Sequence, residues 1–113
     1  MSIRKVLLAI ICSLFVASAV NAACMASGCY DEFVDQIYIQ ANGSLYVQTS
    51  GTETLANCTP DSGVYLFLAG TASKFKEVYA TLMYAQAMGL RAKIRVIEGT
   101  NPCEIAWVAV DRP

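Results

Sequence analysis

A chain of 113 residues has the length of one domain, and with 56% apolar residues it carries too much hydrophobic surface to stay disordered. Eight cationic side chains against nine acidic ones give a net charge of −1, without the basic excess that marks a nucleic-acid binder. There is no histidine, so the usual general base and the usual serine or cysteine triads cannot be assembled.

The first segment reads MSIRKVLLAIICSLFVASAVNA. Arg4 and Lys5 precede an apolar run from Leu7 to Val16, and Val20-Asn21-Ala22 follows with small residues where a signal peptidase reads. This is the pattern of a secretory signal over residues 1–22, cleaved after Ala22. The apolar run falls short of the roughly 20 residues that a membrane span needs. The expected product is exported, periplasmic or secreted, with no stable membrane insertion once the signal is removed. A lipid anchor on Cys24 needs an apolar residue three positions before it, and Asn21 stands there. Cleavage removes Cys12 and leaves Cys24, Cys29, Cys58 and Cys103, an even set in an oxidising compartment. Loss of Arg4 and Lys5 leaves six cations against nine acidic groups, net −3. The remaining residues, 23–113, form a single domain near the size where a core alone is marginal, so disulfides add needed stability.

CMASGCYDEF, residues 24–33, reads as a loop closed by its two cysteines. In VDQIYIQANGSLYVQTSG, Ile37 and Ile39 alternate with Tyr38 and Gln40, and Leu45 and Val47 with Tyr46 and Gln48. Both stretches are half-buried strands joined around Asn42-Gly43. A two-residue turn would pair Gln40 with Leu45 and mix the faces. A three-residue loop, Ala41-Asn42-Gly43, pairs Ile39 with Leu45 and Ile37 with Val47, with Gly43 in the left-handed position. It also sets Tyr38 opposite Tyr46 on the other face.

TETLANCTPDSG is rich in turn formers, and VYLFLAG, residues 64–70, is a short apolar run suited to a central strand. TASKFKEVYATLMYAQAMG is helical, with Phe75, Val78, Tyr79, Leu82 and Gln86 on one stripe. Ser73 or Thr71 is placed to cap its start and Gly89 to end it. The opposite face, with Ala80, Tyr84 and Met88, is apolar for a face turned to water. RAKIRVIEG is a strand with Ala92, Ile94 and Val96 on one side and Arg91, Lys93 and Arg95 on the other. CEIAWVAV is the last strand, and its alternation puts Trp107 with Ile105 in the core.

Three strands, a helix and two strands fit a mainly β fold: a small five-stranded barrel of the oligonucleotide/oligosaccharide-binding (OB) type, ordered β-β-β-α-β-β. The alternative is an α+β antiparallel sheet with one helix laid on it. Four cysteines allow three connectivities. Proximity favours Cys24–Cys29, and Cys58 and Cys103, which lead into the third and fifth strands, favour each other. A zinc site is the rival reading, but the spacing is loose and no histidine assists. No metal and no cofactor is expected.

The stretch YATLMYAQAMGLRAKIRVIEGTNPC, residues 79–103, joins a helix ending in Ala-Gln-Ala to a glycine, a basic strand and a late cysteine. It resembles small secreted bacterial proteins similar to the B subunits of subtilase- and pertussis-type toxins. The likeness covers residues 34–110 in element order and residues 58–103 in residue types. The resemblance implies an OB-type barrel, a ring of five subunits and binding of host glycans. The sugar-contacting polar residues of those toxins have no counterpart here, so no binding residue is carried over.

The residues themselves offer four candidate surfaces. Tyr38 and Tyr46, with Gln40 and Gln48, form an aromatic and polar strand face suited to a sugar or a protein. Arg91, Lys93 and Arg95 form a basic row suited to an acidic partner. Ala80, Tyr84 and Met88 suit a homo-oligomer contact. Glu98 and Glu104 flank the last turn as a carboxylate pair for glycoside cleavage, against a plain reading as solvated charges. The expected function is a non-enzymatic binding module for a glycan or a protein partner. A structural protein of the cell envelope, acting as a homo-oligomer, is the alternative.

Overall fold

The computed structural model describes residues 24–112; the expected secretion signal over 1–22 lies outside them. Five strands form: β1 (Gly28–Ile39), β2 (Leu45–Thr49), β3 (Leu66–Leu68), β4 (Arg91–Ile97) and β5 (Glu104–Val110). One α-helix, α1 (Phe75–Met88), lies between β3 and β4, and a short 3-10 turn spans Glu53–Leu55. The strands close a barrel in the order β1-β2-β3-β5-β4. Every pairing is antiparallel except β3 with β5. This is the expected OB-like barrel; closure and the parallel pair exclude an open antiparallel sheet.

The first hairpin has the register its side chains demand: Ile37 opposite Val47, Tyr38 opposite Tyr46 and Ile39 opposite Leu45. Gly43 takes φ 87°, and its N–H donates to the Gln40 carbonyl at 2.8 Å. The Ser44 N–H donates to Asn42 Oδ1 at 3.0 Å, so the asparagine side chain closes the loop. The barrel interior holds Leu45, Val47, Leu66, Leu68, Ile94, Val96 and Ile105. Helix α1 closes it with Leu82 and Ala85 buried and Phe75, Val78 and Tyr79 packed alongside. Gln86 leaves the stripe: it is exposed, and its amide donates to the Asp35 carbonyl at 3.3 Å. Gly89 ends the helix in the left-handed region at φ 64°, as its sequence position implies. The start differs from expectation. Lys74 occupies the N-cap, and no side chain, neither Ser73 nor Thr71, caps the helix.

Three register shifts break the alternation that sequence reading relies on: one between Val34 and Gln36, where β1 pairs with β2, and two that overturn an expected element. β1 begins at Gly28, inside the stretch expected to be a loop. Asp31 sits at φ 58°, and the pairing with β4 shifts register between Cys29 and Glu32. This long, bent strand pairs first with β4 (Gly28 opposite Arg95, Phe33 opposite Arg91) and then with β2. The second of these lies in β5, where Arg95 faces Trp107 but the next residue, Val96, faces Ile105. Ala106 is therefore an inserted residue, and parity flips beyond it. Val108 and Val110 pack on the core, while Trp107 turns outward at 43% exposure. The expectation that Trp107 is a core residue fails for this reason.

Both disulfides form as expected, Cys24–Cys29 and Cys58–Cys103. The first closes a tight turn in which Met25 and Gly28 exchange backbone hydrogen bonds. Among the described residues no helix is long and apolar enough to cross a membrane.

Candidate functional site

The largest aromatic assembly lies on the outer face of β1, β2 and β3. Tyr38 and Tyr46 face each other across the hairpin, their rings stacked at 4.9 Å and 7°. Phe67 is opposite Tyr46 on the next strand, with centroids 5.4 Å apart. Tyr65, just before β3, meets Tyr38 edge-on at 5.1 Å and Tyr46 at 6.4 Å. Offset and edge-to-face pairs of this kind contribute about 0.5–1.5 kcal/mol each beyond their burial. The turn that delivers Tyr65 is tight: Asp61 and Tyr65 exchange backbone hydrogen bonds at 3.0 Å, and Ser62 and Gly63 take φ of 52° and 76°.

Polar groups rim the rings. The Tyr65 hydroxyl donates to Gln36 Oε1 at 3.1 Å. Gln48 stands opposite Gln36, and Gln40 is exposed at the end of β1. Tyr46, at 9% exposure, is enclosed in the middle strand and supports the other rings rather than facing solvent. Tyr38, Tyr65 and Phe67 are half-buried and form the accessible part of the patch. Desolvation by its neighbours, and next the negative charge of Asp61, hold the Tyr38 hydroxyl above its ordinary pKa. Tyr65 and Phe67 escaped the sequence reading. Their signal was the alternation inside VYLFL, where Leu66 and Leu68 point inward and leave the two aromatics on the face of Tyr46.

The basic row is on the barrel but does not act as one positive surface. The Arg91 guanidinium lies over the Phe33 ring, 4.8 Å from its centroid, and donates to the Asp31 carbonyl at 3.1 Å. Lys93 pairs with Asp111 at 2.7 Å. The hydrogen bond to Asp111, then the charges of Asp111 and Asp31, hold the Lys93 ammonium above its ordinary pKa. Arg95 faces Trp107, whose ring lies 6.3 Å from that of Tyr30. β4 is paired on both sides, so the row does not guard a sheet edge. A cleft of about 450 Å³ beside it is lined by charges of both signs: Asp31, Asp111, Arg91 and Arg112.

The outer face of α1 is exposed as expected, with Tyr84 at 54% and Met88 at 61%; Ala80 is exposed beside them. Met83, at 41%, widens the apolar area. Glu98 and Glu104 have different neighbours. Glu98 Oε1 accepts from Asn57 Nδ2 at 3.3 Å, whereas Glu104 lines a cavity that Glu98 does not reach. Two other carboxylates, unremarked in the sequence, are buried and structural. Glu53 accepts from Thr49, and Glu32 Oε2 accepts from the Ser50 hydroxyl at 2.7 Å. Among the described residues no group of three or more cysteine or acidic side chains is placed to hold a metal ion.

Fold and surface together define a small, disulfide-stapled OB-like barrel with a rigid aromatic patch on its first three strands. Set against family models, curated proteins and solved structures, the chain matches none of them.

Proposed function

We propose that the protein is an exported binding module, without catalysis of its own, that takes a glycan or a protein partner on the Tyr38, Tyr65 and Phe67 patch. The likeness to toxin B subunits belongs to this proposal and makes a glycan the first ligand class to test. The observation that carries it is the interlocked four-ring assembly, with glutamine amides and a tyrosine hydroxyl at its rim. Flat apolar rings beside fixed hydrogen-bonding groups suit a sugar, which presents C–H faces and hydroxyl edges. The rings are held by neighbouring strands, so little conformational freedom is lost on binding. The test is a glycan array followed by calorimetry on the best ligand. Tyr38→Ala is expected to weaken binding tenfold or more, about 1.4 kcal/mol, with the melting temperature within a few degrees of wild type. Equal affinity in the folded variant eliminates this patch as the site. Unaltered ligand after prolonged incubation is the expected sign of binding without turnover.

A second reading rests on a separate observation, the exposed Tyr84, Met88 and Met83 on α1. It makes the protein an interaction protein of the cell envelope that self-associates through the helix. Tyr84→Glu is then expected to lower the sedimenting mass, and an unchanged mass removes this reading.

A further inference from the structure

Asp61 is the charged group of the tyrosine patch. It stands directly opposite Tyr65 in an antiparallel bridge, where each N–H donates to the other residue's carbonyl at 3.0 Å. Residues opposed in this way carry their side chains on one face of the pair. The Asp61 carboxylate therefore projects on the side of the Tyr65 ring, and its charge acts on the Tyr38 hydroxyl. It is half-buried, yet among the described residues it accepts no hydrogen bond and joins no ion pair. The two buried carboxylates differ: Glu53 is engaged by Thr49 and Glu32 by Ser50.

No cation answers this charge. The strands carry three cationic side chains, Arg91, Lys93 and Arg95, all on β4. β4 pairs with β1 between Gly28 and Phe33, and Tyr38 lies beyond, where β1 pairs with β2. No lysine or arginine is among the groups that act on the Tyr38 hydroxyl. The rest of the rim is neutral amide, from Gln36, Gln40 and Gln48. Gln36 Oε1 already accepts from Tyr65, which leaves its NH2 as a donor. The rim thus offers donors, acceptors and one uncompensated negative charge. Sugar hydroxyls match it, because each brings a donor to the carboxylate. A carboxylate or sulfate on a ligand brings only acceptors and a like charge. A quaternary ammonium is drawn by the charge, but it is held best inside a cage of ring faces. Here Tyr38 is 4.9 Å from Tyr46 and 5.1 Å from Tyr65, so the rings stand too close to admit one between them.

We propose that Asp61 sets the ligand class of the patch: it accepts hydroxyl hydrogens from a neutral pyranose stacked on the exposed rings, and it turns away sugars that carry a carboxylate or a sulfate. This rests on the glycan-binding reading of the patch and narrows it. Hydrogen bonds to a charged acceptor are the stronger kind, so Asp61→Asn, of nearly the same shape, is expected to weaken a neutral glycan about tenfold. Like charges about 5 Å apart near a protein surface are expected to weaken an acidic ligand about fivefold or more. The probe is an array in which each neutral oligosaccharide is printed beside its carboxylate-bearing and its sulfated form, followed by calorimetry on the best matched set. Wild type is expected to prefer the neutral member. Asp61→Asn is expected to narrow the gap, and so is salt at about 0.5 M, which screens the charge. Should Asp61→Asn not fold, the salt series on wild type makes the same test. Preference for an acidic member, abolished by Tyr38→Ala, overturns the inference and leaves the glycan-binding reading standing. A gap that neither salt nor Asp61→Asn alters also overturns it, since shape and not charge then makes the choice. No glycan bound, or binding that folded Tyr38→Ala retains, removes the reading and this inference with it. Tetramethylammonium chloride shifting the Tyr38 resonances, with no glycan bound, makes the patch a cation site and likewise removes both.

Discussion

Glu53 is 3% exposed, and its Oε1 accepts both the Thr49 N–H at 2.7 Å and the Thr49 hydroxyl at 2.8 Å. The Thr49 oxygen in turn accepts the Gly51 N–H at 3.1 Å. One carboxylate thus satisfies the end of β2 and fixes the chain as it leaves the barrel. In the sequence, TETLANCTPDSG reads only as a stretch rich in turn formers, because nothing local tells that the chain folds back over its own threonine. Glu53→Ala leaves two buried donors without an acceptor, at an expected cost of about 1–3 kcal/mol. Glu53→Gln retains one acceptor oxygen and is expected to lose less. Urea unfolding followed by fluorescence measures both, and two wild-type midpoints would show that this carboxylate adds nothing to stability. The tyrosine patch follows the same logic at single positions. Tyr46 was legible as a partner of Tyr38, but its enclosure by Phe67 depends on a third strand whose register the sequence did not reveal.

Among the elements, α1 has a correctable weakness. Its first turn lacks a side-chain acceptor because Lys74 holds the N-cap, at φ −111° and ψ 24°. Asp at that position would accept one of the free N–H groups and place a negative charge against the positive end of the helix dipole. Lys74→Asp is expected to stabilise the protein by about 0.5–2 kcal/mol, read as a rise of a few degrees in melting temperature. No rise would mean that residue 74 cannot reach the extended backbone a capping side chain requires. The helix itself, its inner stripe and its glycine stop were legible, because they follow from spacing within one segment. So were the first hairpin and its register, which the alternation of Ile37, Ile39, Leu45 and Val47 decides. The misses share a cause. At Asp31 and at Ala106 an inserted residue shifts the parity of a strand, and no residue type there announces it. For this reason the start of β1 reads as loop and Trp107 as core in the sequence. The three cations are legible as a row, yet the pairing of Lys93 with Asp111 and the stacking of Arg91 on Phe33 come from elements outside that strand.

At the scale of the molecule, the barrel closes least securely where β3 meets β5. That seam has one ladder pair, in a strand of three residues. The Cys58–Cys103 disulfide stands at this seam, and the backbone around it is bonded across the gap. The Phe67 N–H donates to the Cys103 carbonyl at 2.7 Å, and the Cys103 N–H to the Thr59 carbonyl at 2.9 Å. The two disulfides differ greatly in the loop each closes, with separations of 45 residues for Cys58–Cys103 and 5 for Cys24–Cys29. On the chain-entropy model those loops are worth about 4 and about 2 kcal/mol respectively. Domains of this size are stable by only about 5–15 kcal/mol in total, so the first loss is a large share of the whole. The paired variant Cys58→Ala/Cys103→Ala is therefore expected to unfold at much lower denaturant than Cys24→Ala/Cys29→Ala. Its amide exchange is expected to accelerate first at Leu66 to Leu68, because the parallel pair has no other cross-link. In Cys24→Ala/Cys29→Ala that strand should keep its protection while the turn at Met25 to Gly28 loosens. Equal midpoints for the two variants, with exchange raised evenly around the barrel, would mean that the seam is held by its packing against Leu45, Leu82 and Ile105 and not by the covalent tie.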